Sequence, residues 1–225
     1  MQFDINRASP VKGQSSLCGC CNKKIIAKCG RVKIHHWAHE SKEDCDPWYE
    51  PMSEWHSNWQ ACVPVEMREV IVGKHRADIK LPSGLVVELQ YSGIDGETVE
   101  DRQEFYKDMV WIFNGQKLFG KMFRNEVTSE AGNDYVRFTY CRPRAMVEYL
   151  TSPVYIDYGE KILRVKPDDE GNYFTQYEAE SEWEGREYTT IRYKGWGHYI
   201  TRDKAKREIF GEFYTPINPE IMLAF

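Results

Sequence analysis

Residues 74–90 read Lys-His-Arg-Ala-Asp-Ile-Lys-Leu-Pro-Ser-Gly-Leu-Val-Val-Glu-Leu-Gln, and no other stretch so narrows what the chain can fold into. Apolar and polar residues alternate on both sides of Pro82-Ser83-Gly84, a trio of turn formers, which predicts two strands joined as a hairpin. Side chains repeat on a strand every second residue, so Arg76, Asp78 and Lys80 share one face, as do Val86, Glu88 and Gln90 on the next strand. A hairpin can thereby bring Asp78 close to Glu88 and Gln90. Facing carboxylates repel one another unless a positive charge sits between them, and a divalent cation is the usual solution. Two solvent-facing acids on an ordinary hairpin fit the local pattern equally well, so the surroundings must decide.

Residues 52–62 predict a helix capped by Ser53, with Trp55, Trp59 and Cys62 as its buried stripe. A strand is expected over 66–72. A charged amphipathic helix is expected over 97–109, with Val99, Phe105 and Met109 on its inner face. Val110-Trp-Ile-Phe113 suits a central buried strand ended by Asn114-Gly115. With the hairpin, the order becomes helix, three strands, helix, strand. Further on, Tyr135–Tyr140 reads as a strand and Arg144–Leu150 as a helix. Val154–Asp157 and Ile162–Lys166 read as paired strands, 167–187 as exposed loop or hairpin, and Lys204–Phe210 as a last short helix.

Five of the seven cysteines, Cys18, Cys20, Cys21, Cys29 and Cys45, crowd the first fifth of the 225-residue chain. In a reducing compartment such crowding points to metal rather than disulfides. Cys18 and Cys21 form a Cys-x2-Cys pair that aims two thiolates at one tetrahedral centre, and His39 and Cys45 complete a Zn²⁺ set, with His36 as the alternative late ligand. Four protein ligands leave no open position, so such a zinc is structural. The net charge is −5, but it is unevenly spread: residues 1–36 carry seven Lys and Arg against Asp4 alone, and 168–187 carry eight acids against Arg186. A basic N-terminal module on an acidic body can hold a polyanion by one end. No apolar run approaches the roughly 18–20 residues of a membrane span. The N-terminus lacks a secretory pattern, so a cytoplasmic protein without membrane partners is expected.

Seven features occur in one order: Cys18-x2-Cys21, His36-Trp-Ala-His39, Ser53-x2-His56, His75-Arg-Ala-Asp78, Val87-Glu88-Leu-Gln90-Tyr-Ser92, Arg102-x3-Tyr106 and Val110-Trp-Ile-Phe113. In this order the chain resembles the competence protein CoiA-like family, itself similar to the PD-(D/E)xK nuclease superfamily. The resemblance covers about residues 18–115 and extends to about 165 through Pro153-Val-Tyr-Ile-Asp157-Tyr-Gly. It implies an α/β fold with a restriction-endonuclease-like αβββαβ core and a mixed central sheet, plus a small zinc-ribbon-like N-terminal module. The expected division is 1–50 for the zinc module, 51–165 for the nuclease-like core and 166–225 for a C-terminal extension.

Carried onto this chain, the resemblance makes Asp78 and Glu88 ligands of a catalytic Mg²⁺ or Mn²⁺. Gln90 stands where the superfamily usually has Lys, although a Glu-x-Gln form is usual in the CoiA-like branch. Gln can orient water and phosphate only through neutral hydrogen bonds, so more of the chemistry falls on the metal. Glu54 is the third acid. Glu54 and His56 lie about 200° apart on a helix, flanking Trp55. His56 is therefore a phosphate or proton contact, or else a polar cap over the Trp stripe. His75, Arg76 and Arg102 are the substrate-binding set, with Arg102 and Tyr106 equally suited to a fold-stabilising pair. The expected function is metal-dependent hydrolysis of DNA phosphodiesters, with a catalytically inactive DNA-binding accessory as the alternative. DNA is the expected partner, with a homodimer or a recombination or defence protein as further partners, in a prokaryotic or phage setting.

Overall fold

The structure, a computed structural model, describes residues 10–18, 21–31, 35–40, 45–48, 50, 52–119, 123–127, 135–140, 145–183 and 186–216. The chain divides into two compact units. Residues 1–87 and 212–225 form the first and 88–211 the second.

The first unit begins with a small antiparallel sheet of β1 (Ser15–Leu17), β2 (Lys24–Lys28) and β3 (His36–His39), in that order. Helix α1 (Glu54–Gln60) follows. Ser53 is its N-cap, with its side chain accepting from the His56 amide, and Trp59 and Cys62 are buried beneath it. One 3₁₀ turn leads into β4 (Arg68–Val72), which pairs antiparallel with β5 (His75–Lys80). Strand β5 alternates strictly, burying His75, Ala77 and Ile79 and leaving Arg76, Asp78 and Lys80 half-exposed. Leu81–Leu85 makes the turn into β6 (Val86–Gln90), with Gly84 at φ 101°, a left-handed backbone that favours glycine. The register sets Ile79 against Val87 and Lys80 against Val86.

In the second unit, Asp95 caps α2 (Gly96–Tyr106). The helix is shorter than expected. It ends at Lys107, whose φ of 63° breaks it without a glycine, and Met109 already belongs to β7 (Met109–Asn114). Its inner face is also different: Val99, Arg102, Gln103 and Tyr106 are buried, and Phe105 is exposed. Gln103 explains why a polar stripe can face inward. Its amide accepts from Trp111 Nε1 and from the Thr151 and Ser152 amides, and it donates to the Tyr149 carbonyl, so no polar atom is desolvated for nothing.

Every residue of β7 is buried, and after it come α3 (Gly115–Leu118), β8 (Phe123–Val127), β9 (Tyr135–Tyr140) and β10 (Val154–Asp157). Then follow β11 (Lys161–Lys166), β12 (Thr175–Trp183), β13 (Arg186–Thr201) and α4 (Arg202–Phe210). The sheet order is β7-β10-β11-β13-β9-β8, with β12 also on β13. Strand β10 runs parallel to β7 and the other pairs in this series are antiparallel, so the sheet is mixed. The expected helix over 144–150 is a 3₁₀ segment, Ala145–Tyr149. The whole is an α/β protein with a large mixed sheet and few helices. Among the described residues no helix is long and apolar enough to cross a membrane.

Candidate functional site

The turn between β1 and β2 and the end of β3 converge on one point. Cys18 and Cys21 flank the turn, His39 closes β3, and the ligand atoms of Cys18, Cys21, His39 and Cys45 all lie within 4.8 Å of one another. Cys18 Sγ is 3.4 Å from Cys45 Sγ, and Cys21 Sγ is 3.2 Å from His39 Nε2. Zn–S and Zn–N bond lengths put the edges of a tetrahedral site at about 3.5–3.8 Å, so these two edges need to open by only a few tenths of an ångström. Burial, then the neighbouring Cys18 and Cys21, push the Cys45 thiol far above its ordinary range. Three adjacent thiols cannot all ionise unaided, and a bound divalent cation would supply the missing charge. Burial, then the positive charges of Arg76 and Lys23, lower the pKa of His39, which favours the neutral imidazole a metal needs. The donors and their spacing fit zinc. Of the other candidates, His36 lies on β3 outside the cluster and Cys29 donates to the Pro10 carbonyl, while Cys20 lies outside the described residues.

The residue after Cys45 joins this centre to the hairpin. Asp46 Oδ1 is 2.8 Å from His75 Nδ1, and Oδ2 accepts from the Arg76 amide at 2.8 Å. Trp48 stacks on the His75 ring at 3.3 Å between centroids. His75 is therefore 3% exposed, held at the start of β5. The Arg76 guanidinium lies 3.9 Å from Cys18 Sγ and 3.5 Å from the Glu69 carboxylate. Glu69 itself has a φ of 50°, a strained backbone for a residue with a side chain. Its carboxylate is held by Gln60 Nε2 at 2.5 Å, and the same amide reaches the Asp78 carbonyl at 3.3 Å. Sequence reasoning missed Asp46 and Glu69. The Asp46-Pro47 turn directly after a metal ligand was a usable signal for the first, whereas nothing in the sequence marks Glu69 as left-handed.

The residues expected to be catalytic have differing environments. Asp78 is half-buried on the polar face of β5. Glu54 is exposed in the first turn of α1. His56, two residues on, is 2% exposed, with Nδ1 2.8 Å from Ser53 Oγ and Nε2 3.3 Å from Glu50. Glu88 is also 2% exposed, and its Oε2 accepts from the buried Arg102 guanidinium at 2.6 Å. The Gln90 amide donates to the Ser92 carbonyl at 3.0 Å. Among the described residues no second group of three His, Cys, Asp or Glu ligand atoms comes together. A catalytic Mg²⁺ or Mn²⁺ would then take part of its shell from water and substrate, as Mg²⁺ commonly does.

Residues 2–47 match the family model described as competence protein CoiA, N-terminal domain. That segment contains β1–β3 and the three cysteines and one histidine of the cluster. No curated protein and no solved structure matches the chain.

Proposed function

We propose that this protein is a metal-dependent nuclease that hydrolyses DNA phosphodiester bonds, and that its zinc-folded N-terminal module helps to grip the substrate. The match of residues 2–47 points to competence-related work, in which DNA is the material handled. One observation carries the catalytic half of the reading. The hairpin register sets Lys80 against Val86, while strand alternation puts Asp78 on the Lys80 side of β5 and Glu88 on the Val86 side of β6. In a restriction-endonuclease-like core these would be the two carboxylates that hold Mg²⁺ or Mn²⁺. The cation would lower the pKa of an attacking water and neutralise charge on the scissile phosphate. Gln90, and Glu54 or His56 from α1, would orient water and phosphate, and Arg76 would face the DNA backbone.

A second reading is favoured by the Glu88–Arg102 pair. A carboxylate already neutralised by a buried guanidinium at 2.6 Å suits a structural role, and a DNA-binding accessory of the same fold would need no more. Cleavage of linear and single-stranded DNA with Mg²⁺ or Mn²⁺ separates the two. Asp78→Ala should abolish cutting in a protein that melts like the wild type, since Asp78 is half-exposed. Glu88→Gln is the better partner variant, because it leaves Arg102 an acceptor. Equal inertness of wild type and Asp78→Ala across both metals would leave only the accessory reading.

A further inference from the structure

The acidic stretch over 168–187 is not one acidic surface. Strand β12 and the first half of β13 form a two-stranded ribbon: among the described residues, Arg186–Arg192 pair with β12 alone, while β9 and β11 join β13 only from Tyr193 onward. Directly opposed residues share a face, and the register pairs Tyr177 with Arg192, Glu178 with Ile191, Ala179 with Thr190 and Glu180 with Thr189. Alternation then sorts the charges completely among the described side chains. One face carries Tyr177, Arg186, Tyr188, Arg192 and Lys194 and no acid. The other carries Glu178, Glu180 and Glu187 and no base. Tyr188 is 45% exposed, Arg186 and Lys194 are exposed, and the Lys194 ammonium lies 5.7 Å over the Tyr177 ring.

Acids opposed to bases across its strands stabilise a free-standing ribbon. Here, among the described residues, no register pair joins an acid to a base. The arrangement forgoes that stabilisation and presents instead a strip of three cations interleaved with two aromatic rings. Flexible polyanions with unstacked bases are bound by such a strip, the cations following the phosphates and the rings stacking on bases. A regular duplex keeps its bases paired and offers the rings nothing to stack on.

We propose that the Tyr177/Tyr188/Arg186/Arg192/Lys194 face of the β12–β13 ribbon binds single-stranded nucleic acid, and that the acidic face keeps the strand from lying on the wrong side. As an assignment of substrate it rests on the nuclease reading, whereas as a binding surface it is tested without cleavage. The test is fluorescence anisotropy of a labelled oligo-dT 20-mer and a 20-base-pair duplex, with zinc-loaded full-length protein and no added Mg²⁺ or Mn²⁺. The 20-mer should bind in preference to the duplex. Arg186→Glu/Lys194→Glu should weaken binding of the 20-mer at least tenfold. It should also flatten the dependence of log affinity on log salt by about 1.4, two phosphate contacts at about 0.7 each. Tyr188→Ala should weaken binding roughly fivefold or more by removing one stacking platform, and Glu178→Gln/Glu180→Gln should leave it unchanged or tighter. All these side chains are exposed, and melting curves check that each variant folds. If the double reversal does not fold, Tyr188→Ala decides alone. Unchanged affinity in the basic-face variants, equal affinity for the duplex, or binding of a labelled oligo-glutamate instead of oligo-dT would overturn the proposal. Anisotropy is read without a catalytic cation and cleavage is read with one, so the two readings fail separately.

Discussion

The second unit and the N-terminal sheet of the first are each held together by different physics. In the second, β7 is buried along its whole length, and Trp111, Phe113, Phe119 and Tyr140 contact one another in series at 5.4–5.8 Å between ring centroids. Apolar burial of that kind is ample to hold a sheet. Ahead of α1, by contrast, the buried residues among those described are Pro10, Cys18 and Ile25. So little apolar surface cannot offset the entropy of ordering three strands and their turns. What the β1–β3 sheet has instead is the Cys18, Cys21, His39 and Cys45 centre, and one bound zinc supplies on the order of 10 kcal/mol in small domains of this type.

The largest effect expected is therefore loss of the metal. Purified protein should carry one zinc per chain by elemental analysis. Chelation, or Cys21→Ser, should strip hydrogen-exchange protection from the amides of β2 and β3 while those of α2, β7 and β10 stay protected. Uniform loss across both units, or no loss in either, would show that the difference between them is not the metal.

The second unit has its own polar dependence, and it sharpens the contrast. Glu88 and Arg102 are both buried, so removing one leaves a desolvated charge. Glu88→Ala should cost about 3–5 kcal/mol in urea unfolding, whereas Glu88→Leu with Arg102→Met should recover most of that because an apolar pair fills the same space without charge. If the double variant is as unstable as the single, the pair contributes directional bonding that packing cannot replace.

Much of this was legible in the sequence where a single local rule was in force. The Ser53 cap, the turn at Pro82-Ser83-Gly84 and the apolar run of β7 each follow from neighbours within a few residues. The Cys-x2-Cys pair likewise led to the four residues that converge. The misreading of α2 comes from polar groups satisfied from far away. Phe105 was expected inward on α2 because the true inner residues, Arg102 and Gln103, are polar, and their partners Glu88, Thr151 and Ser152 lie 14 to 49 positions distant. No element was expected over 188–203, where Gly195 and Gly197 interrupt the strand pattern. At Gly197 the reason is close approach: a Cβ there would sit 2.3 Å from the Arg164 carbonyl oxygen on β11. His75 was expected as a substrate contact because it begins the strand that carries Asp78. Its partners, Asp46 and Trp48, are on the far side of α1 in the sequence.

That last contact gives the smallest effect of the series and tests how far the metal centre depends on the hairpin within the first unit. Asp46 gives one carboxylate oxygen to the His75 ring and the other to the Arg76 amide, and a second bond from the Trp48 amide, 3.0 Å away, also reaches Oδ1. Asp46→Ala leaves a buried amide and a buried imidazole nitrogen without that acceptor, which should cost about 1–3 kcal/mol in zinc-loaded protein. Asp46→Asn keeps one oxygen acceptor and should cost less. The His75 ring, followed by its side-chain NMR signals, should lose its stacked environment against Trp48 in the alanine variant and keep it in the asparagine one. If Asp46→Ala leaves both stability and the His75 signals unchanged, the zinc alone fixes Cys45 and its neighbours, and the hairpin contributes nothing to holding them.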